Sequence, residues 1–390
     1  MIRGFGPMTD ACRLLEIWGS PHDRGVRYGR GAASEIRRGV AHYVVQMKTA
    51  GLSESALAEL VQAYLPVIAA FDAEHVEEMQ GIAEGADLPF PHIVLMNART
   101  ELLKLAGNPV LRAGLLAERD AEGCTTIVIQ PERTPDGVLI HAHNWDWKAR
   151  CADACIILRI RNDNGPDILT FTEAGGLARF GFNAAGIAVT GNYLECDRDY
   201  RRIGAPLALI RRKVLQQDNP SLAFAAIYAT EKSASNNLAL SHAGTGIVHD
   251  LECAPDETFV VEPRDGVLVH SNHWLSPAAL VKLRETGIAD SPCSFWRQQR
   301  AERLLAPHRM IGLDQVREVL SDTAGSPLSI CVPPRPSTMT GETATVASFL
   351  MRPALGEMQV AMMPSGGADY VSYALKSDQP AYAESHAADA

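Results

Sequence analysis

Nothing in this chain approaches a run of about 18 uninterrupted apolar residues, the length a membrane-crossing helix needs, so no membrane partner is expected. The first twenty residues, MIRGFGPMTDACRLLEIWGS, hold neither the apolar core of a secretory leader nor a small-residue cleavage site, and no signal peptide is read there. Positive charge is in deficit. Against 46 Asp and Glu stand 36 Lys and Arg, a formal charge of −10, and a binder of phosphate backbones needs the opposite balance. Nucleic acid is therefore not an expected partner. The eight cysteines are too sparse for a disulfide scaffold, and no two show C-x-x-C spacing. Reduced thiols in a cytoplasmic setting are the expectation. No Walker or dinucleotide-type glycine spacing occurs and no internal repeat is visible, so no cofactor and no bound metal are expected.

What is present is a globular composition, 46% hydrophobic and 21% charged, in 390 residues, enough for one large domain or two of ordinary size. Residues 1 to about 120 read as helical. From Ser53, Leu57, Leu60, Val61, Tyr64 and Leu65 recur at three-and-four spacing. Val76, Met79, Ile82 and Ala83 repeat the pattern after Pro66, and 91–103 reads as a further helix. At Cys124 the texture turns to short β-branched runs: 125–130, 138–143, 155–160, 168–172 and 186–190. Thr134-Pro135-Asp136-Gly137 is a hairpin-closing turn, and Gly181–Gly186 reads as a β-turn. Helices are expected at 206–217 and 222–229, then strands at 237–241, 247–251, 259–262 and 267–270, the last two joined by an Arg264-Asp265-Gly266 turn. Helices at 292–306 and 313–320 and a hairpin of 345–351 with 359–363 complete the reading. Two strand groups with helices between and outside them imply two stacked sheets flanked by helical layers. The arginine clusters at 198–202 and 211–213 read as solvated faces, and the tail 376–390 as disordered.

Three stretches carry chemistry. Cys124, in Glu122-Gly123-Cys124-Thr125-Thr126, opens the first strand of that group behind a glycine, with no bulky neighbour to block attack. In His141-Ala142-His143-Asn144-Trp145-Asp146-Trp147, strand alternation sends His141, His143 and Trp145 to one face and Ala142, Asn144 and Asp146 to the other. An H-x-H on a strand is a metal-ligand arrangement, and a metal-dependent hydrolase using His141 and His143 is one reading. In His270-Ser271-Asn272-His273-Trp274, the Asn272 amide is an oxyanion donor if it faces developing charge. A thiol-protease scheme with His270 or His273 as base leaves the 123 residues before Cys124 without a role.

Taken in order, MNARTELL (96–103), EGCTT (122–126), HNWDW (143–147), FTEAGG (171–176), GFNAAGIAV (181–189) and VHSNHWL (269–275) resemble the acyl-coenzyme A:6-aminopenicillanic acid acyltransferase family, the C45 peptidases. The resemblance spans about residues 20–365. It implies an α+β, four-layer αββα sandwich of the N-terminal nucleophile hydrolase type, and a precursor that cuts its own Gly123–Cys124 bond. Residues 1–123 would then be a helical small subunit that stays bound, and 124–375 the catalytic core, together one structural domain. By resemblance Cys124 is the nucleophile, Asp146 orients its freed α-amine and Asn272 serves the oxyanion. Asn192, His143, Asn144 and Glu342 are further oxyanion or substrate-contact candidates. Glu342 stands where relatives that bind a substrate carboxylate carry an arginine, which argues against penicillin chemistry. The implied activity is hydrolysis of a linear C–N amide of a small molecule, of N-acyl amine or N-acyl amino acid type, through a Cys124 thioester. The alternative is transfer of the acyl group to an amine. The expected partners are that substrate and the chain's own paired fragments; a homo-oligomer is left open. A non-catalytic scaffold descended from such an enzyme is the remaining reading.

Overall fold

The computed structural model describes residues 11–49, 51–105, 123–289, 291–337 and 341–376. Glu122, and the tail expectation beyond Lys376, lie outside them.

The chain begins on a strand, β1 (Arg13–Ile17), where a helix was expected. Its partner is some 140 residues away, in parallel register with Arg13 opposite Ile156, so no local pattern announces it. Among the described residues five helices follow: α1 (Pro21–Gly31), α2 (Ala33–Thr49), α3 (Glu54–Phe71), α4 (Ala73–Ala86) and α5 (Phe90–Leu105). The side chains of Ser20, Ser53 and Asp72 accept hydrogen bonds from backbone N–H groups in the first turns of α1, α3 and α4. Helix α3 buries Leu57, Val61, Tyr64 and Ile68 on one stripe. Pro66 sits within it on the exposed side and, lacking an N–H, cannot donate to the carbonyl of Gln62, itself an exposed residue. With a mean hydropathy of 1.2, α3 is apolar and long enough to cross a membrane by composition; in the fold its stripe is packed, and Tyr64 bonds Ser233 at 2.9 Å. Helices α1 and α4 touch backbone to backbone, since a Cβ on Gly25 would stand 2.2 Å from the Glu78 carbonyl oxygen.

The strands then run β2 (Gly123–Ile129), β3 (Ile140–Lys148), β4 (Cys155–Ile160), β5 (Ile168–Glu173), β6 (Phe180–Asn183) and β7 (Ile187–Tyr193). Helices α6 (Leu207–Leu215) and α7 (Pro220–Tyr228) lead to β8 (Asn236–His242), β9 (Val248–Cys253), β10 (Thr258–Val261) and β11 (Val267–His270). Next come α8 (Pro277–Lys282), α9 (Cys293–Leu305) and α10 (Leu313–Leu320), then β12 (Arg335–Ser337), β13 (Gly341–Arg352), β14 (Glu357–Met362) and β15 (Val371–Ala374).

Among the described residues these strands form two sheets. One has the order β1-β4-β5-β6-β7-β8-β9-β10; the other is β11-β2-β3-β13-β14-β15, with β12 on β13. Trp145 and Phe349 of the second sheet meet Phe171 and Phe180 of the first at ring-centroid distances of 4.6–5.8 Å, which places the apolar core between the sheets. Outside the second sheet, Ile127, Ile129, Ala142 and Val269 pack on Ala301, Leu305, Val316 and Leu320 of α9 and α10. Helix α6 lies against β6 and β7, and α7 against β8 and β9, on the other outer face. The four layers are αββα, as expected.

Two local readings change. Gly181–Gly186 holds the strand β6 as well as a turn. The Arg264–Gly266 turn closes no hairpin: β10 pairs with β9 in one sheet and β11 with β2 in the other, so the turn carries the chain across the sandwich. That crossing brings Asn272, just past β11, beside Cys124 at the head of β2.

Candidate active site

Alternation along β2 decides where the cysteine points. Thr125 Oγ1 accepts from Arg297 on α9, and Ile127 and Ile129 pack under the outer helices. The intervening Cys124, Thr126 and Val128 therefore face the other sheet. Thr126 donates to Asn192 on β7 at 2.7 Å, and Val128 packs on Ala239 and Val248. Cys124, 6% exposed, borders a cavity also lined by Trp145, Asp146, Glu173, Arg179, Arg211 and Asn236. Helices α5 and α6 supply its rim through Met96, Thr100, Leu207 and Ala208.

The Cys124 backbone N–H donates to Asn272 Oδ1 at 2.8 Å. Arg297 Nη2 donates to the same oxygen at 2.8 Å, and Asn272 Nδ2 donates to the Tyr193 carbonyl at 3.0 Å. Two donors on one end and a carbonyl on the other leave a single orientation for this amide. Arg297 Nη1 reaches the Cys124 carbonyl at 2.5 Å, so the nucleophile candidate is held from both sides of its backbone. Sequence reasoning passed over Arg297. Its signal was position: Ser294, Arg297, Gln298, Ala301 and Leu305 form the buried stripe of α9, and a charged residue on such a stripe needs a buried partner.

Asp146 stands opposite Gly123 in the β2–β3 register, one residue from Cys124. Its Oδ1 accepts from Thr345 Oγ1 at 2.6 Å. Burial raises its pKa, a rise that Arg297, Thr345 and Arg335 partly oppose. A Cβ on residue 123 would come within 2.5 Å of Asp146 Oδ2, so close approach explains the glycine before the cysteine. The single amide hydrogen of Cys124 goes to Asn272; Asp146, expected to orient that nitrogen, lies at the neighbouring register position.

The other candidates fall elsewhere. Asn192 is consumed in joining the sheets: Oδ1 takes the Thr126 hydroxyl and Nδ2 donates to the His270 carbonyl at 2.9 Å. His143 is fully buried, with Nδ1 at 2.8 Å from Thr126 Oγ1 and its ring 4.3 Å from that of Phe180. Because Thr126 gives its proton to Asn192, His143 carries its hydrogen on Nδ1. Both ring nitrogens of His141 bond hydroxyls, those of Ser241 and Thr190 at 2.8 Å. Burial pushes its pKa down to about 3, which makes it a neutral core histidine. Asn144 faces the helices, donating to the carbonyls of Leu320 and Ile330. Glu342 is exposed at the start of β13.

The 211–213 cluster is a correction. Arg211 and Arg212 are buried, and only Lys213 of the three keeps a partly exposed side chain. Arg211 lines the cavity, as do Arg99 and Arg179, which pair with Glu173; Arg179 does so at 2.8 Å. Burial alone would raise the Glu173 pKa, but the two arginines and the Tyr43 hydroxyl outweigh it and bring it down to about 2. Arg179 also lies 4.3 Å over the Trp145 ring.

The family model described as acyl-coenzyme A:6-aminopenicillanic acid acyl-transferase matches residues 133–363. A curated relative, the acyl-coenzyme A:6-aminopenicillanic-acid-acyltransferase 40 kDa form of Emericella nidulans, is 31% identical over 326 residues, 80% of this chain and 82% of that one. Among solved structures, the Caenorhabditis elegans N-acylethanolamine-hydrolyzing acid amidase ortholog aligns with a TM-score of 0.43 at 18% identity, covering 60% of this chain and 94% of that one. Penicillin V acylase from Agrobacterium tumefaciens aligns with a TM-score of 0.43 at 12% identity, covering 64% and 86%. By its family match and by its curated relative, the chain belongs to the acyl-coenzyme A:6-aminopenicillanic acid acyltransferase family, a family of acyl-transferring enzymes.

Proposed function

We propose that this enzyme is a self-processing N-terminal cysteine amidohydrolase acting on a small-molecule linear amide. The supporting observation is the site at the head of β2: a cysteine behind a glycine, turned into a cavity, its backbone nitrogen held by Asn272. In processing, Cys124 Sγ attacks the Gly123 carbonyl carbon, an S–C bond replaces the C–N bond, and the Cys124 nitrogen takes the proton. Water then cleaves the thioester, leaving a carboxylate on Gly123 and a free thiol and α-amine on Cys124.

An α-amine titrates near pH 7.7–8.0 and a thiol near 8.5, so one residue supplies a matched base and nucleophile near neutral pH. In turnover the amine takes the thiol proton, Sγ adds to the substrate carbonyl, and the ammonium returns the proton to the departing amine. Water opens the thioester. In this scheme Asn272 Oδ1 keeps the α-amine in place, Asp146 supports it, and Asn272 Nδ2 exchanges the Tyr193 carbonyl for the substrate oxyanion.

A second reading keeps the same thioester and passes the acyl group to an amine; the description of the matching family favours it. Denaturing mass spectrometry of the purified 42.2 kDa chain tests what both share. Two fragments, the larger starting at Cys124, are expected. An intact chain after prolonged incubation counts against both readings. An acyl donor assayed with and without added amine then separates them, with amide synthesis as the main product pointing to the transferase.

A further inference from the structure

Of the buried polar side chains that line the cavity beside Cys124 and that the scheme above does not use, two have polar atoms without a partner. Arg211, on α6, is 8% exposed, and its Nε has no hydrogen-bond partner. Among the described residues no carboxylate pairs with it. Glu173 is taken by Arg99, Arg179 and Tyr43. Glu101 accepts the Leu207 N–H at 2.8 Å and makes no ion pair with Arg211; burial raises its pKa, and Arg211 and Arg99 oppose that rise from a distance. The Arg211 guanidinium lies 5.6 Å over the Phe180 ring, and a Cβ on Gly191 would come within 3.0 Å of its Nη2. Asn236, at the start of β8, is fully buried, and neither its Oδ1 nor its Nδ2 has a partner. Both residues line the same cavity as Cys124.

A buried guanidinium without an ion-pair partner and an amide idle at both ends each cost stability, and a ligand that pairs with both would recover it. Burial, Arg179 and Arg99 press the Arg211 pKa down to about 9 against the opposing effect of Cys124 and Glu101. A planar guanidinium matches a carboxylate, and an amide offering one donor end and one acceptor end matches a second amide.

We infer that Arg211 and Asn236 form a carboxylate-binding subsite beside Cys124, so that the molecule opened there carries a carboxylate as well as its scissile carbonyl. The inference rests on the reading of Cys124 as the nucleophile. Glu342, exposed at the start of β13, is not among the residues that line this cavity.

The test alkylates the full-length protein with iodoacetate or iodoacetamide, reagents of nearly equal size that differ in charge. Thiolate sulfur displaces iodide from either, and peptide mass spectrometry reads the rate at each cysteine, with half-buried Cys293 as internal reference. The iodoacetate-to-iodoacetamide rate ratio at Cys124 is expected to fall at least about tenfold in Arg211→Gln and to stay put at Cys293; an unchanged ratio at Cys124 overturns the subsite. Should that variant not fold, the wild-type protein still decides. Propionate is expected to shield Cys124 from iodoacetamide where propionamide does not, and equal shielding by the two overturns the proposal.

N-acylglycines, N-alkyl monoamides of glutaric acid and the methyl esters of each then locate the carboxylate. Preference for the first set places it on the leaving amine and for the second on the acyl group; esters turned over as fast as acids overturn the subsite. A chain that stays uncut and idle, yet loses its iodoacetate preference in Arg211→Gln, keeps the subsite and removes the hydrolase reading. A processed, active enzyme with a flat ratio does the reverse.

Discussion

The backbone nitrogen of Cys124 and the side-chain oxygen of Asn272, 148 residues apart in the chain, are joined at 2.8 Å, and Arg297 ties the pair by donating to Asn272 and to the Cys124 carbonyl. The nucleophile candidate and its partner thus hang on one buried guanidinium.

Removing the amide should therefore act on chemistry and stability together. In Asn272→Ala, turnover is expected to fall by about 10²–10³, the usual effect of losing one preorganised side-chain donor. The buried Arg297 Nη2 loses its acceptor, a destabilisation of about 1–3 kcal/mol. Steady-state kinetics and a denaturant titration read the two separately. Wild-type turnover in this variant would take Asn272 out of the mechanism.

Arg297→Met keeps bulk in the α9 stripe but drops three hydrogen bonds, those to the Cys124 carbonyl, Thr125 and Asn272. The expected result is a folded protein, less stable by a few kcal/mol, that cuts itself more slowly because the Cys124 backbone is held from one side only. A time course of fragment appearance checks this. Wild-type processing speed would reduce Arg297 to a packing role.

Gly123→Ala places a methyl group within 2.5 Å of Oδ2 of Asp146, a carboxylate whose Oδ1 accepts from Thr345. Strand β2 must shift away from β3 at the bond to be cut, and processing is expected to slow markedly while Gly123→Ala remains able to fold. Cleavage at the wild-type rate would show that the two strands part easily there.

Glu173 gives a pH dependence of defined sign. Its pKa is lowered from about 4.5 to about 2 in the fold. The carboxylate therefore stabilises the native state fully above pH 4.5, and that contribution, on the order of 3 kcal/mol, is lost as pH falls from about 4.5 towards 2. Unfolding free energies measured across that window should show the loss in the wild type, and Glu173→Gln should remove that part of the slope. Parallel slopes in the two proteins would contradict the assignment.

Much was legible before any coordinates. The 155–160 and 267–270 strands and the 313–320 helix begin and end where their local patterns do. Each is a short element whose signal sits in its own residues, as alternation, helical spacing or flanking turn chemistry. The ordered motifs from EGCTT to VHSNHWL were likewise enough to indicate the family and to single out Cys124, Asp146 and Asn272 as residues of interest.

The tertiary structure decided what depends on distant pairing. Strand β1 exists because β4 offers it an edge, and the Arg264–Gly266 turn crosses between sheets because β11 has its hydrogen-bond partner in β2. Asn192 and Asn144 look like site residues in one dimension, yet they spend their amides holding layers together. Arg211 reads as surface charge in the sequence and Arg297 was passed over, yet the fold buries both beside the cysteine's cavity or backbone. Periodicity is a property of neighbours along the chain and reports which face of an element is apolar. Whether a buried charge or amide meets a partner is set by groups that only the folded sheets and helices bring within hydrogen-bonding distance.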